Sequence, residues 1–422
     1  MLGGRGCRTM LAASAAGALA ILPCAAASPA LATPAGPAGQ AVPAAGADAV
    51  RESQMWVLDT LDVPQAWSYT RGKGVTVAVI DSGVYPNISD LNGGSVIAGP
   101  DLTGLGTSMA SPHWGEHGTW MASIIAGHGH GFGDDDGITG VAPEARILSI
   151  RVIPDKGDPG YRHYDTEAER NIQKSLAEGI TYAVNHGASV ISMSIGYSAP
   201  SGMVRAALQY AYQHRVVLVA SSGNSGHDDE RRDHRFAPVS FPAEYPGVIS
   251  VGALTSSDSS AGFSSNNLSV QVAAPGVHIP AQGRDGLYWT VDGTSPACAL
   301  VAGVAALIKS KYRGISPALV TEALTTTAHN DPPGSYNEQT GFGRVDAAAA
   351  LQKAGQLMKV DPTASQVKAT AHFGGGVSAV PAAPVAPRGV GQLVLFTVLA
   401  VASLVLALAG VAALAVLRRG AG

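Results

Sequence analysis

Two titratable residues stand at the ends of predicted elements, where a carboxylate and an imidazole could work together. Asp81 directly follows the apolar, valine-rich run 75–80 and opens an Asp-Ser-Gly sequence. His117 opens a His-Gly-Thr sequence before an apolar stretch of small residues, which predicts that it lies at the start of a helix. An imidazole oriented by a carboxylate can take a proton from a nucleophile. Each residue alone has a plainer explanation, a turn cap for Asp81 and an ordinary surface position for His117.

A serine at another predicted helix start could supply the nucleophile. The sequence Gly-Thr-Ser-Pro-Ala at 293–297 leads into a helical pattern over 298–312. Pro296 suits the first helical position, where its missing N–H costs nothing, so Ser295 is predicted to be the N-cap. Unpaired N–H groups and the positive end of the helix dipole lie there and could stabilise negative charge on a neighbouring oxygen. Ser316 precedes a proline in the same way and is interpreted as a simple cap, so this pattern alone is weak.

An asparagine follows another predicted strand and could assist the same chemistry. Asn224 lies in the loop Ser-Ser-Gly-Asn-Ser-Gly at 221–226, after the apolar run 216–220. Its amide NH2 group could donate a hydrogen bond to an oxyanion formed when a carbonyl group is attacked. The alternative is an asparagine that serves only the turn.

Alternating strand and helix signals would position these residues at one edge of a sheet. Apolar strands that alternate with helices indicate a parallel sheet covered on both faces. Sites in such sheets form beyond the carboxyl ends of the strands, so Asp81 and Asn224 are expected at the same edge. The runs 75–80, 146–153, 189–193 and 216–220 predict strands, and the patterns at 167–186 and 204–214 predict helices.

Taken together and in this order, the four segments resemble the subtilisin family of serine peptidases. The resemblance extends over about residues 56–352 and includes three further family motifs. These are Gly140-Val141-Ala142-Pro143, Ala273-Ala274-Pro275-Gly276 and Gly341-Phe342-Gly343-Arg344-Val345-Asp346. It implies a peptidase domain at 55–352 with the α/β, three-layer fold of subtilisin and a mostly parallel central sheet.

The resemblance also implies roles for individual residues. Asp81, His117 and Ser295 would form the catalytic triad of a serine endopeptidase, which hydrolyses peptide bonds through an acyl-enzyme intermediate. Asn224 would bind the oxyanion together with the backbone N–H of Ser295.

Substrate binding is implied by a second matching segment. Ser194, Ile195 and Gly196 match the family's Ser-x-Gly edge, which pairs with extended peptide substrates by strand addition. The expected partners are therefore proteins or peptides. The nearly balanced net charge of −4 argues against a nucleic-acid partner. No cofactor or metal is indicated, and residues 128–136, which hold two histidines and three aspartates, are interpreted as a solvated loop.

The first 54 residues predict a targeting segment and an extension of simple composition. Arg5 and Arg8 precede an apolar run and a small-residue cleavage site, so 1–32 is interpreted as a secretory signal peptide. The alternative is an uncleaved anchor helix. Residues 33–54 are mostly Ala, Pro and Gly, and they are expected to be extended or disordered rather than folded as an inhibitory prosegment. Folded sequence is expected to begin near Trp56.

The C-terminal part predicts a membrane anchor. Residues 353–389 are rich in Pro, Ala and Gly and are interpreted as a spacer. The run 393–417 contains no charged residue, and at about 1.5 Å per residue it can cross a hydrocarbon core of about 30 Å. It predicts a single transmembrane helix at 390–417. The tail 418–422 begins with two arginines, which places it in the cytoplasm and the peptidase domain outside the cell.

The order of these segments resembles the mycosins, actinobacterial subtilisin-like proteases associated with type VII secretion. That resemblance implies a protease on the outer face of the cell membrane, with the type VII secretion machinery as a candidate partner. The alternative is a membrane-anchored scaffold that keeps the protease shape and stabilises a secretion complex without proteolysis. After removal of the signal peptide only Cys298 would remain, so no internal disulfide is expected.

Overall fold

Strands and helices alternate along the described part of the chain, which comprises residues 40–41, 47–159, 161, 168–226, 237–329, 335–359 and 403 of the computed structural model. The strands are β1 (Gln40–Ala41), β2 (Thr76–Asp81), β3 (Val96–Asp101), β4 (His128–His130), β5 (Asp136–Thr139), β6 (Arg146–Arg151), β7 (Val190–Met193), β8 (Val217–Ser221), β9 (Val248–Leu254), β10 (Val272–Pro275), β11 (Ile279–Gln282) and β12 (Tyr288–Val291). The helices are α1 (Ala47–Thr60), α2 (Val63–Ala66), α3 (Glu116–Ala126), α4 (Ala168–Asn185), α5 (Gly202–Gln213), α6 (Thr294–Lys311), α7 (Pro317–Thr326) and α8 (Ala347–Leu357). All of them belong to one compact unit, which ends at Lys359.

Seven of the strands form a sheet in the order β10-β9-β8-β7-β2-β6-β3. Each neighbouring pair in it is parallel. The predicted parallel sheet is therefore confirmed, and the four strands and two helices predicted around it are present with ends that differ by two residues or fewer. In this order the carboxyl ends of β2, β6, β7 and β8 are neighbours, so the segments that follow them share one edge.

The sheet separates two apolar cores, because its strands are buried on both faces. Alternate residues of β2 enter different cores. Val77 and Val79 pack with α3 and α6, whereas Ala78 and Ile80 pack with α4 and α5. The result is the expected three-layer α/β arrangement of helices, sheet and helices. Helix α6 is buried from its first residue to Lys309, so a residue at its start is held rigidly.

The segment before the sheet is more ordered than its composition predicts. Strand β1 pairs antiparallel with β12, and helix α1 already begins at Ala47. The expectations that residues 33–54 are only extended or disordered, and that folded sequence begins near Trp56, are therefore wrong from Ala47 onward. The physical reason is tertiary, since Val50 and Val57 of this helix are buried against the domain.

Two polar side chains fasten α1 to the hairpin formed by β4 and β5. Arg51 Nε donates to the carbonyl oxygen of Gly137 at 2.8 Å, and its Nη2 donates to two carbonyl oxygens of the hairpin turn at 3.0 and 3.1 Å. Gln54 exchanges two hydrogen bonds with the backbone of Thr139, at 2.6 and 3.0 Å. Residues 128–136, interpreted from the sequence as a solvated loop, thus form much of a hairpin that binds α1.

The C-terminal predictions fall largely outside the described residues. Helix α8 runs to Leu357, so the first residues of the spacer predicted at 353–389 belong to the folded unit. They do so because Leu351 and Ala354 bury one face of this helix. Among the described residues, no helix is long and apolar enough to cross a membrane. The predicted signal peptide 1–32 and, apart from Ser403, the predicted span 390–417 lie outside those residues.

Replacing Arg51 with alanine is expected to lower the free energy of unfolding by about 1–3 kcal/mol, because three backbone carbonyl groups lose a charged donor. Chemical denaturation would measure this change. Glu52→Ala is the matched control, since Glu52 is exposed on the same helix and its loss should change stability by no more than about 0.5 kcal/mol. Equal stabilities of the two variants would show that the Arg51 contacts do not hold α1 in place.

Candidate active site

The carboxyl end of β2 carries Asp81, and α3 brings His117 onto it. Asp81 is the last residue of its strand, and His117 is the second residue of its helix. The distance between His117 Nδ1 and Asp81 Oδ1 is 2.7 Å. The same Oδ1 accepts a hydrogen bond from the N–H of Ser82, also at 2.7 Å. The predicted strand end and helix start are confirmed, and the structure brings the two residues into direct contact.

Asp81 governs the protonation of His117. Burial disfavours the imidazolium form, but the charge and hydrogen bond of Asp81, together with the charges of Asp155 and Glu116, outweigh burial, so the pKa of His117 lies above its ordinary value. Because a carboxylate only accepts hydrogen bonds, Nδ1 carries the proton and Nε2 is the basic nitrogen. Nε2 is buried and has no hydrogen-bond partner among the described residues.

The His-Gly-Thr sequence allows α3 to approach the strand end closely. A Cβ atom at Gly118 would collide with the carbonyl oxygen of Gly83. The hydroxyl group of Thr119 donates to the carbonyl oxygen of Gly115 and accepts from the N–H of Tyr85 at 2.8 Å. Each residue of the motif therefore has a physical reason for its place.

Ser295 is the second residue of α6 and not its N-cap, so the predicted position is wrong by two residues. The N-cap is Gly293, whose φ of 150° is a conformation that side chains with a Cβ rarely adopt. This glycine lets the helix begin at Thr294 and places Pro296 third. Proline is tolerated there because the N–H groups of a first helical turn have no acceptor within the helix. Ser295 and its N–H still lie at the positive end of the helix dipole.

Asn224 reaches the start of α6 from the loop after β8. Its Oδ1 accepts hydrogen bonds from the N–H and the hydroxyl group of Thr294, at 3.0 and 2.8 Å. These bonds settle the orientation of the amide, because the oxygen is engaged and the donor group Nδ2 lies on the other side, next to Gly293. The structure thus places the NH2 group of Asn224 beside the first turn of α6, which contains Ser295.

A pocket of about 110 Å³ adjoins Ser295 and Asn224. Its remaining described lining residues are Ser194, Gly196, Tyr197, Ser198, Ser221, Gly223, Ser225, Pro238, Val239, Ser240, Ser265 and Thr294. None of these described lining residues is charged, so the pocket suits an uncharged side chain. Of the predicted substrate edge, Ser194 and Gly196 line the pocket, and Ser194 also donates to the carbonyl oxygen of Ser295 at 3.3 Å. Ile195 is 2% exposed and does not line it.

Cys298 lies one helical turn from Ser295 but is not poised as a nucleophile. Its side chain is fully buried between Ser192 and the carbonyl oxygen of Met193. Burial raises the pKa of the Cys298 thiol to about 11, so the reactive thiolate form is scarce at neutral pH. Cys298 is therefore a buried cysteine of the core.

Three residues that shape the site were not singled out from the sequence. Ser82 accepts a hydrogen bond from the N–H of Gly118 at 3.1 Å, and Thr294 orients the amide group of Asn224. Both stand inside recognised motifs, but nothing in the sequence indicates their contacts. Asp155 accepts a hydrogen bond from the N–H of His117. Since it follows the end of β6, the rule that sites form beyond strand ends could have found it.

The buried carboxylate–imidazole pair and the serine at a helix start belong to a known class of protein. The profile of the subtilase family, also described as peptidase S8, matches residues 72–343. The chain belongs to this family of serine proteases. The predicted resemblance to subtilisin-like peptidases is thereby confirmed.

Among the relatives, mycosin-3 of Mycobacterium tuberculosis (strain ATCC 25618 / H37Rv) is 34% identical over 333 residues, which cover 69% of this chain and 70% of mycosin-3. Fervidolysin of Fervidobacterium pennivorans is 34% identical over 325 residues and 71% of this chain, but the chain spans only 44% of its length. The solved structure of the MycP3 protease from the type VII (ESX-3) secretion system matches with a TM-score of 0.59 and 32% identity, covering 74% of this chain and 91% of that one. The similarity to mycosins is confirmed.

Gly118→Ala is expected to destabilise the fold by about 1–3 kcal/mol and to move α3 away from β2, because the new methyl group meets the Gly83 carbonyl. Thermal or chemical unfolding would measure the loss. Gly202→Ala is the matched control, since it is a helical glycine with open space around its Cβ position. It should change stability by less than about 1 kcal/mol. A Gly118→Ala protein as stable as this control would refute the close-approach argument.

Proposed function

We propose that this protein is a serine endopeptidase in which Asp81, His117 and Ser295 form the catalytic triad. The observation that carries the proposal is the 2.7 Å contact between His117 Nδ1 and Asp81 Oδ1, which leaves Nε2 as a base. Further support is that α3 packs against α6, the helix that begins with Thr294 and Ser295.

In the proposed mechanism, Nε2 of His117 takes the hydroxyl proton as Ser295 Oγ attacks the carbonyl carbon of a peptide bond. Asp81 stabilises the imidazolium that results. The imidazolium then gives its proton to the leaving amine, and an acyl group remains on Ser295. The neutral imidazole next takes a proton from water, whose oxygen attacks the carbonyl carbon of the ester. The imidazolium then returns this proton to Ser295 Oγ as the bond between Oγ and the acyl carbon breaks, which releases the second product.

Asn224 and the backbone N–H of Ser295 would bind the oxyanion of the tetrahedral intermediate. The proposal is supported by the engaged Oδ1 of Asn224, which directs Nδ2 away from Thr294. Two donors at the positive end of a buried helix require no rearrangement when the charge develops, and this is what makes such groups effective in catalysis.

Extended peptides would bind along Ser194, Ile195 and Gly196 by strand addition. Support comes from the position of this segment directly after β7 and from the pocket beside it. A substrate side chain that enters this pocket contacts small and polar groups, and none of the described lining residues is charged. We therefore propose protein or peptide substrates with an uncharged residue at that position.

The location of the enzyme is proposed from the sequence. A signal peptide at 1–32 and a transmembrane helix at 390–417 would leave the protease on the outer face of the cell membrane, with the tail 418–422 inside. The charge-free run 393–417 and the arginines after it support this proposal. The likeness to a protease from the type VII (ESX-3) secretion system supports a link to such machinery. The alternative role for this protein is a membrane-anchored scaffold that stabilises a secretion complex without proteolysis.

Ser295→Ala is expected to lower kcat by up to about 10⁶-fold, because no nucleophile remains. Asn224→Ala keeps the triad and should lower kcat by only about 10²- to 10³-fold, with little change in KM. Turnover of a peptide by the purified, folded proteins measures both effects. Near-normal turnover by Ser295→Ala would refute the triad.

In cells, full function of Ser295→Ala in secretion would favour the scaffold.

Ending the chain at Gly375 is expected to release an active protease into the medium, because the proposed transmembrane helix is removed. Fractionation of cells that express the full and shortened chains would measure the membrane-bound share of activity. The control is a full-length Ser295→Ala chain located by immunodetection, which shows whether activity itself affects where the protein is found. A shortened chain that stays in the membrane would point to an uncleaved N-terminal anchor instead.

A further inference from the structure

Asp155 satisfies the first turn of the helix that carries His117. The N-cap of α3 is Gly115, which has no side chain to accept hydrogen bonds. Asp155, from the segment after β6, supplies the missing acceptors. Its Oδ2 accepts from the N–H of Glu116 at 2.9 Å, and its Oδ1 accepts from the N–H of His117 at 3.3 Å.

The other N–H groups of this turn are also bound locally. The N–H of Gly118 donates to Ser82 Oγ at 3.1 Å. The N–H of Thr119 makes the first bond within the helix, to the carbonyl oxygen of Gly115, also at 3.1 Å. A helix leaves its first four N–H groups without internal partners, so these bonds determine where α3 begins. Through Ser82 and Asp155, the helix start is tied to the ends of the neighbouring strands β2 and β6.

Asp155 also acts on the charge of the site. The positive end of a helix dipole disfavours a cation, and His117 lies in the first turn of α3. The carboxylate of Asp155 offsets this effect, and its charge, like those of Asp81 and Glu116, favours the imidazolium form of His117. Asp155 is itself 7% exposed, so solvent screens this interaction little.

His117 is the positively charged partner of Asp155, because the neighbouring cations have other partners. Arg151, at the end of β6, forms ion pairs with Asp101 and Asp158. His113, whose ring lies close to Gly157, acts electrostatically on Glu116. Burial raises the pKa of Asp155 to about 7, against the attraction of His117 and the two backbone donors, so Asp155 carries its negative charge mainly at neutral pH and above.

We propose that Asp155 is a positioning residue for the general base, which holds the backbone of His117 and stabilises its imidazolium form during the reaction. Asp81 binds the imidazole ring, whereas Asp155 binds the main chain of the same residue. Asp81 ends β2 and Asp155 follows β6, and these two strands are adjacent, so one rigid sheet edge determines both contacts. This inference rests on the proposed triad.

Asp155→Asn tests the inference, because asparagine keeps the volume and one acceptor oxygen but removes the charge and sets an NH2 group against a backbone N–H. We expect kcat to fall about 10- to 100-fold with KM nearly unchanged. Loss of a neighbouring negative charge lowers the pKa of His117. The acid limb of the kcat/KM profile, which follows deprotonation of His117, should therefore move to lower pH.

The pKa of His117 can be read directly by NMR titration of its imidazole in the Ser295→Ala background, where activity is not needed. Asp346→Asn is the matched control, since Asp346 is a buried aspartate that caps α8 by accepting from Ala349 N–H at 2.7 Å. This control should lose stability while its acid limb stays at the original pH. Asp155→Ser provides a second neutral variant if asparagine prevents folding.

An unchanged acid limb and an unchanged His117 titration in both Asp155 variants would overturn the inference and leave Asp155 as a helix cap only. A lowered His117 pKa with reduced kcat would support it. Failure of the triad itself is recognised separately, because then Ser295→Ala would retain turnover whatever the titration of His117 shows.

Discussion

The contact between the Asp81 carboxylate and the His117 imidazole is the constraint on which the rest of the site depends. The two residues are 36 positions apart in the chain, yet Oδ1 and Nδ1 lie 2.7 Å from each other. This distance requires the start of α3 to sit directly on the end of β2. The close approach is possible because Gly118 has no Cβ, and it is maintained because the first N–H groups of the helix bind side chains that follow β2 and β6.

Burial gives these contacts their strength. Asp81, His117 and Ser295 are each 3% exposed or less, so solvent screens their charges little. A buried charge is costly unless it is paired, and the Asp81 carboxylate is paired with the His117 imidazole and with the N–H of Ser82. Helices α3 and α6 each begin beside a residue of the proposed triad, so their positive ends lie next to His117 and Ser295. At α6 this end favours an oxyanion near Ser295, whereas at α3 it disfavours the imidazolium, which the carboxylates of Asp81 and Asp155 offset.

The segment before the sheet shows how far tertiary contacts extend the folded unit. A composition of Ala, Pro and Gly cannot drive folding by itself. Here β1 adds to β12, and α1 is anchored by Arg51 and Gln54 to backbone groups of the β4–β5 hairpin. Since these partners lie more than 80 residues further along the chain, they exist only after the domain has formed. The position of the helix against the domain therefore depends on these tertiary contacts.

Much of the fold and most of the site could be predicted from the sequence, because periodic apolar runs and strand-end motifs are local signals. The strands around Asp81 and Asn224, the helix start at His117 and the family resemblance were all available from residues close together in the chain. The helix that holds Ser295 begins two residues earlier than predicted. The reason is that Gly293 adopts a backbone conformation that the sequence does not reveal. The amide orientation of Asn224 and the capping of α3 by Asp155 could be decided only by the tertiary structure. Each depends on a hydrogen bond between segments that the sheet, and not the sequence, brings together.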